Sequence, residues 1–343
     1  MVTLREHLDG WAGASAGRQA LAATVVAIAT AAAELAEVVA QGPLAGELGA
    51  VLGESADGDG QKALDLRAHT LFLDHLDRAP VAALVSEEAP ELVALRPGAP
   101  IAVALDPLDG SGNIDSNAPM GTVFSLLPSE RADDPALAFT CPGDRQLGAG
   151  FVLYGPHTAL VLTLGGGVQV FTLEPRDRVF RLTRPAIRVP EGRREYAINA
   201  SNTRHWPLPV RAFVQECVAG VDGPRGVDYN TRWLGCVVAE AYRILLRGGI
   251  YLYPGDARRG YERGRLRLLY EASPLALLFE QAGGLATDGF VRILDLAPAG
   301  IHQRVPLVFG SRDKVERVVE LHNAGVPQAG QRPLFAARGL FRS

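Results

Sequence analysis

The chain has 343 residues, 48 % of them hydrophobic and 21 % charged; this is ordinary globular usage, which excludes a disordered chain and, at roughly 150 residues per domain, suggests two domains. Its 34 basic and 38 acidic residues leave a net charge of −4, so no basic excess exists for nucleic-acid or polyanion binding. Cys141, Cys217 and Cys236 are odd in number, widely spaced and form no CxxC, which speaks against a disulfide framework or a thiolate zinc site and fits a reducing compartment.

The opening MVTLREHLDG carries Arg5, Glu6, His7 and Asp9 and lacks the apolar run of a signal peptide. In residues 21–39, Leu21, Val25, Ile28, Leu35 and Val38 or Val39 recur at helical spacing. Glu34 and Glu37 interrupt that run before the roughly 20 apolar residues of a membrane span are complete. A packed helix in a soluble, cytoplasmic protein is expected. Residues 53–61, polar and glycine-bearing, read as a loop, and 63–79 as an amphipathic helix with Leu66, Leu73 and Leu76 inward. Two strand-sized apolar runs follow, 81–85 and 101–105, each ending in acid: Glu87 and Glu88 after the first, Asp106 after the second. Residues 151–155, 158–164 and 168–173 read as a meander.

Pro, Gly and charge concentrate over 184–194, which predicts a break. Beyond it come a strand at 196–199, helices at 210–218 and 234–246, and strand-like 249–254 and 265–271. The last helix opens with Ser273 as N-cap and Pro274 in the first position, and Gly283 closes it. This alternation predicts a layered α/β (α+β) architecture in two lobes, residues 1–190 and 191–343.

The segment with most chemical content is Asp106-Pro107-Leu108-Asp109-Gly110-Ser111-Gly112-Asn113-Ile114-Asp115. Two carboxylates three apart follow a strand, in a turn that Pro107 stiffens. Gly110 and Gly112 let backbone N–H groups approach an anion, as in a phosphate-cradling nest. Carboxylates beside an anion pocket make electrostatic sense when a hard divalent cation such as Mg²⁺ sits between them. An EF-hand loop does not fit, because positions 3, 5 and 6 from Asp106 are Leu108, Gly110 and Ser111. Glu87, Glu88 and Glu271 could join Asp106 and Asp109 at one sheet edge.

DPLDGSGNID, the upstream LVSEE and the downstream GRLRLLYEASPLALLFEQAGG together resemble the class 1 fructose-1,6-bisphosphatases, magnesium-dependent sugar phosphatases of a lithium-sensitive superfamily. The likeness runs from about residue 15 to residue 320. It implies the family's sugar-phosphatase fold, an αβαβα sandwich. It also implies that Glu87, Asp106, Asp109, Glu271 and the Leu108 carbonyl ligate two or three Mg²⁺, with Mn²⁺ as an alternative. Asp65 and Glu88 would position and deprotonate the attacking water. Asp109, Gly110, Ser111 and Gly112 would contact the reacting phosphate. Asp59 matches a mobile loop of the family, though it also reads as an ordinary turn aspartate. Asn199, Tyr253 and Arg265 fall where the family binds the 6-phosphate and sugar, and Arg232 matches an arginine donated by a neighbouring subunit. A homo-oligomer, a tetramer in this family, follows from the resemblance.

Some positions depart from the pattern. Trp233 and Asn202 stand where the family has tyrosines, and Arg265 replaces a lysine. Arg267 is expected to pair with the acidic cluster. Pro100, Ile101 and Pro128 replace residues that bind AMP in the animal enzymes, so AMP inhibition is expected to be weak or absent. Cys141 is alone where plastid forms carry a redox disulfide. The expected activity is removal of the 1-phosphate of fructose 1,6-bisphosphate, in gluconeogenesis or the Calvin cycle. The alternatives are sedoheptulose 1,7-bisphosphate, both sugars, or a non-catalytic sugar-phosphate-binding module.

Overall fold

The computed structural model describes residues 1–54, 60–129 and 133–324. It opens with helix α1 (Leu4–Ala12), started by a capping box: Glu6 N–H donates to Thr3 Oγ1, and Thr3 N–H to the Glu6 carboxylate. In α2 (Ala16–Gln41), Leu21, Val25, Ile28 and Leu35 are all buried, the face read from the sequence. By length and composition this helix could cross a membrane, but here its apolar face lies in the core. A hairpin of β1 (Val51–Glu54) and β2 (Gly60–Lys62) occupies both ends of the stretch read as a loop; Asp59 lies outside the described residues. In α3 (Ala63–Leu76) the buried row is Leu64, Ala68, Phe72 and Leu76. This is an i,i+4 row rotated from the expected one, with Leu66 and Leu73 half-buried at its margin.

The large sheet comprises β3 (Val81–Ser86), β4 (Val93–Ala94), β5 (Ile101–Asp109), β6 (Met120–Pro128), β7 (Gly148–Tyr154), β8 (Thr158–Thr163), β9 (Val168–Glu174) and β10 (Val179–Ile187), in the order β10-β9-β8-β7-β6-β5-β3-β4. β3 and β5 run parallel, so their carboxyl ends emerge at the same edge. Alternation divides the strands between two faces. Phe124, Val152, Leu160 and Phe171 pack with α1 to α3, whereas Val123, Phe151, Val161 and Val170 pack on the other side. The break expected from residue 184 begins later, because β10 continues through Pro185 to Ile187. As an edge strand with register shifts at Arg184 and before Ile187, it can hold a proline that a central strand would not.

The smaller sheet has β11 (Glu195–Ala197), β12 (Asn230–Thr231), β13 (Ile250–Tyr253), β14 (Leu285–Thr287) and β15 (Leu307–Gly310), in the order β12-β11-β13-β15-β14. Among the described residues the remaining α-helices are α4 (Leu208–Val218), α5 (Val237–Arg247), α6 (Ser273–Gln281) and α7 (Arg312–Asn323). Val238 and Ile244 of α5 and Leu275 and Phe279 of α6 share one core with Phe151 of the large sheet and with Tyr251 and Phe309 of the small one. On the far side, Ile250, Leu252 and Val308 pack against Phe213 of α4 and Val318 of α7. The five layers are therefore α1–α3, large sheet, α5–α6, small sheet and α4–α7, the αβαβα arrangement expected.

One segment departs from expectation in a way that shapes the site. Residues 265–271 do not form a strand. Arg267 makes a single bridge to Arg304, and Leu268–Ala272 then winds into a π turn in which Ala272 N–H donates to the Arg267 carbonyl at 3.0 Å. This turn runs straight into α6, so Ser273 already has helical dihedrals (φ −65°, ψ −46°) and is not an N-cap. Leu268, Leu269 and Tyr270 are buried all round, which removes the period-two contrast that distinguishes a strand.

Candidate active site

In a regular strand, residues three apart face opposite sides. Asp106 and Asp109 escape that rule because β5 carries one extra residue against β6: Asp106 pairs with Val123, and Asp109 with Gly121. Such a bulge re-aims side chains. Pro107 fits it, since it has no N–H to leave unpaired, and its carbonyl accepts from Thr122 Oγ1 at 2.8 Å. The π turn brings Glu271 to the same place. Carboxylate oxygens of Asp106, Asp109 and Glu271 lie within 4.8 Å of one another.

Glu87 and Glu88 follow β3, and Asp65 comes from the first turn of α3. All six acids line one cavity of about 390 Å³, together with Leu108, Gly110, Ser111, Gly112, Tyr253 and Arg265. Among them sits the buried Arg267, its Nη1 3.1 Å from Glu87 Oε1, the pairing anticipated from the sequence. Arg267 and Arg265 together cannot offset six carboxylates. Burial, reinforced by the neighbouring acids, pushes the carboxyls of Asp106 and Glu271 well above the usual range. Burial likewise lifts Asp65 and Asp109 to about 6 and Glu88 to about 7.

Each acid is held by the chain around it. Asp109 accepts from Val238 N–H and from the Cys236 thiol, both at 2.9 Å, at the start of α5, where helix amides favour negative charge. Burial holds that thiol well above its ordinary pKa, so Cys236 is a neutral donor. The Gln61 side-chain amide donates to the Glu88 carboxylate and, at 3.1 Å, to its carbonyl. Lys62 N–H donates to one Asp65 oxygen at 2.8 Å, while Asp65 Oδ1 is buried without a partner. Converging carboxylates, an excess of negative charge and an orphaned buried oxygen fit a hard divalent cation.

Beside the acids, Gly110 has φ +80°, and a Cβ there would lie 2.9 Å from Cys236 Cβ. Glycine is required on both counts. Lys62 Nζ anchors this turn through the Ser111 carbonyl (3.1 Å) and Asp115 (2.9 Å).

The remaining anticipated residues are less concentrated. Asn199 lies in a small adjoining pocket that shares Tyr253 with the acidic cavity. Its Oδ1 accepts from Ser201 N–H (3.2 Å) and Oγ (2.6 Å). Arg232 lines neither pocket; it is half exposed, with Nε 3.8 Å from Oε1 of the buried Glu195. Trp233 reaches the cavity wall by stacking on Tyr251, centroids 5.8 Å apart. The sequence reading missed Gln61, Lys62 and Cys236. The apolar Leu234 drew the expected start of α5 forward; the true start, Val237, makes Cys236 the N-cap, its Sγ accepting from Ala239 N–H at 3.5 Å.

Comparison with known proteins gives a consistent picture. The family model described as the N-terminal domain of fructose-1-6-bisphosphatase matches residues 5–185, and the C-terminal domain model matches 189–323. The chain is 55 % identical over 342 residues to a protein named fructose-1,6-bisphosphatase class 1 from Rhodopseudomonas palustris (strain BisB18), covering 99 % of this chain and 98 % of that one. It is 50 % identical over 341 residues to the protein of the same name from Methylorubrum populi, covering 99 % and 98 %. Among solved structures, Leishmania major fructose-1,6-bisphosphatase in holo form superimposes with a TM-score of 0.87 at 32 % identity, covering 94 % of this chain and 99 % of that one.

Proposed function

The chain belongs to the class 1 fructose-1,6-bisphosphatase family and is a phosphatase, and from that premise we propose that it removes the 1-phosphate of fructose 1,6-bisphosphate by metal-dependent hydrolysis, leaving fructose 6-phosphate. The observation that carries this reading is the convergence of Asp106, Asp109 and Glu271 within 4.8 Å beside the Gly110 turn.

Glu87, Asp106, Asp109, Glu271 and the Leu108 carbonyl would hold two or three Mg²⁺, or Mn²⁺ in their place. When bound, the cations neutralise phosphoryl oxygens and stabilise the departing sugar alkoxide. Asp65 and Glu88, with Gln61 orienting the latter, direct the attacking water and accept its proton. Asp109 and the backbone of Gly110, Ser111 and Gly112 hold the reacting phosphoryl group. Asn199, Tyr253 and Arg265 bind the 6-phosphate, Arg265 through the fork of its guanidinium. Arg232, exposed beyond the cavity, serves the site of a neighbouring subunit in a homotetramer. The lobes meet near residue 190, and the enzyme works in the cytoplasm, in gluconeogenesis. A second reading, hydrolysis of sedoheptulose 1,7-bisphosphate as in the Calvin cycle, is kept because one further carbon changes discrimination in a sugar pocket only modestly.

Phosphate release from both bisphosphates, with Mg²⁺ and with EDTA, tests this. Mg²⁺-dependent release from the fructose ester alone is the expected result. Comparable rates on the two sugars would establish the dual activity. Release from neither by folded protein would replace the proposal with a binding module.

A further inference from the structure

The loop between β13 and the π turn builds a chain of contacts that ends in the acidic cavity. Its shape is tightly fixed. A Cβ on Gly255 would lie 2.2 Å from the Glu262 carbonyl, Asp256 N–H donates to the Tyr261 carbonyl at 2.9 Å, and Tyr261 N–H to the Arg258 carbonyl at 3.0 Å. Asp256 is buried and accepts Arg258 Nε on both carboxylate oxygens at 3.0 Å. The Arg258 guanidinium lies over the Tyr261 ring, 4.2 Å from its centroid. The Tyr261 hydroxyl accepts from Arg265 Nη1 at 2.9 Å, and the Arg265 guanidinium is itself 5.1 Å from the ring centroid.

Asp256, Arg258, Tyr261 and Arg265 thus form one connected unit inside ten residues of chain. Arg265 lines the acidic cavity, while Arg258 and Tyr261 line the adjoining pocket with Asn199, Asn202 and Tyr253. The charges divide the labour. Asp256 neutralises Arg258, which therefore contributes orientation rather than net attraction. Tyr261, having accepted from Arg265, retains its own O–H for donation. Tyr253 lines both the acidic cavity and the adjoining pocket, so an anion seated between Arg265 and Tyr253 lies next to the wall that Asn199 and Tyr261 form. Asn202 offers no phenol there, so the hydroxyls lining the adjoining pocket are those of Tyr253 and Tyr261.

We propose that Tyr261 is a binding residue for the phosphate distal to the acids, donating its hydroxyl to that group while fixing Arg265 beneath it, and that Asp256 and Arg258 are positioning residues for Tyr261. This rests on the reading that Asn199, Tyr253 and Arg265 hold the 6-phosphate. It makes the loop a specificity element: substrates with an anion at the far end gain from it, and sugar monophosphates without one do not.

Tyr261→Phe keeps the ring under Arg258 and removes only the hydroxyl. We expect its KM for fructose 1,6-bisphosphate to rise about tenfold, as for loss of one hydrogen bond to a charged group, with kcat within about twofold. The dissociation constant of fructose 6-phosphate, read from tryptophan fluorescence, should weaken by a similar factor. The kcat/KM for fructose 1-phosphate should not change. Asp256→Asn, which loosens Arg258 but leaves the phenol, should give the same pattern with a smaller rise; equal melting temperatures would establish that the variants fold. An unchanged KM for the bisphosphate in Tyr261→Phe, or an equal loss on both substrates, overturns the role of Tyr261. A wild type as active on fructose 1-phosphate as on the bisphosphate refutes the distal-phosphate reading itself, before any variant is compared.

Discussion

With divalent cations removed, Asp106→Asn should stabilise the protein while abolishing activity. Asp106 is 1 % exposed, and its carboxylate comes within 4.8 Å of those of Asp109 and Glu271. At an effective dielectric constant of 20, two full charges at that separation repel by about 3.5 kcal/mol. Partial protonation relieves part of this, because burial and the neighbouring acids raise all three carboxyls. Asparagine preserves the side-chain volume and the acceptor for Leu108 N–H, 3.0 Å in the wild type. A net gain of about 1–3 kcal/mol is expected, or about 2–10 °C in Tm for a chain of this size. A carboxyl raised on folding stabilises the fold at low pH, where it is protonated, and withdraws that support as pH rises through its folded value. Asp106 is raised in this way, so the advantage of the variant should widen as pH rises. Scanning calorimetry in EDTA over a series of rising pH values measures it. With Mg²⁺ at 100 times its Kd, the wild type should regain about 2.7 kcal/mol for each site filled, so filling two sites reverses the order. A variant less stable than the wild type in EDTA at pH 8 would refute the reasoning, because Asp106 would then be held by compensating groups within the protein rather than by a cation.

Glu88→Gln removes the proposed proton acceptor in nearly the same volume; kcat should fall about 10²–10⁴-fold with Mg²⁺ binding by titration calorimetry little altered, and retention of more than a tenth of kcat would exclude the role. Gly110→Ala forces a side chain onto a φ of +80° and to 2.9 Å from Cys236 Cβ; it should cost about 1–3 kcal/mol in denaturant unfolding and most of the activity, and a fully active, equally stable variant would show that the turn has room to spare. AMP at millimolar concentration should leave phosphate release unchanged, and inhibition at low micromolar AMP would contradict the expectation drawn from Pro100, Ile101 and Pro128.

The parts of the site legible in the sequence are those fixed by neighbours in the chain. Acids directly after apolar runs at 81–85 and 101–105 announce a charged sheet edge, because β3 and β5 are parallel and end together. Pro107 and the glycines at 110 and 112 announce a stiff turn. The helical face of α2 follows from spacing alone. What depends on a distant partner was not legible. Nothing near Asp106 shows that β6 will oppose it one residue short. Gln61 and Lys62 acquire their roles only because the hairpin folds back onto Glu88 and Ser111.

The two backbone irregularities at the centre of the molecule have a common consequence. Without the bulge in β5, Asp109 would face away from Asp106; without the π turn before α6, Glu271 would fall elsewhere on a regular helix or strand. Each costs regular hydrogen bonding, and each is stabilised by deep packing on either side: Leu105 and Val123 around the bulge, Leu268 and Leu275 around the turn, all essentially fully buried. The surrounding core thus holds like charges together where burial makes their repulsion stronger than it would be in water. Such an arrangement is worth its strain only if something else completes it. That is why neutralising one acid and supplying a cation are expected to stabilise the same protein by different routes, and why only the second should leave it active.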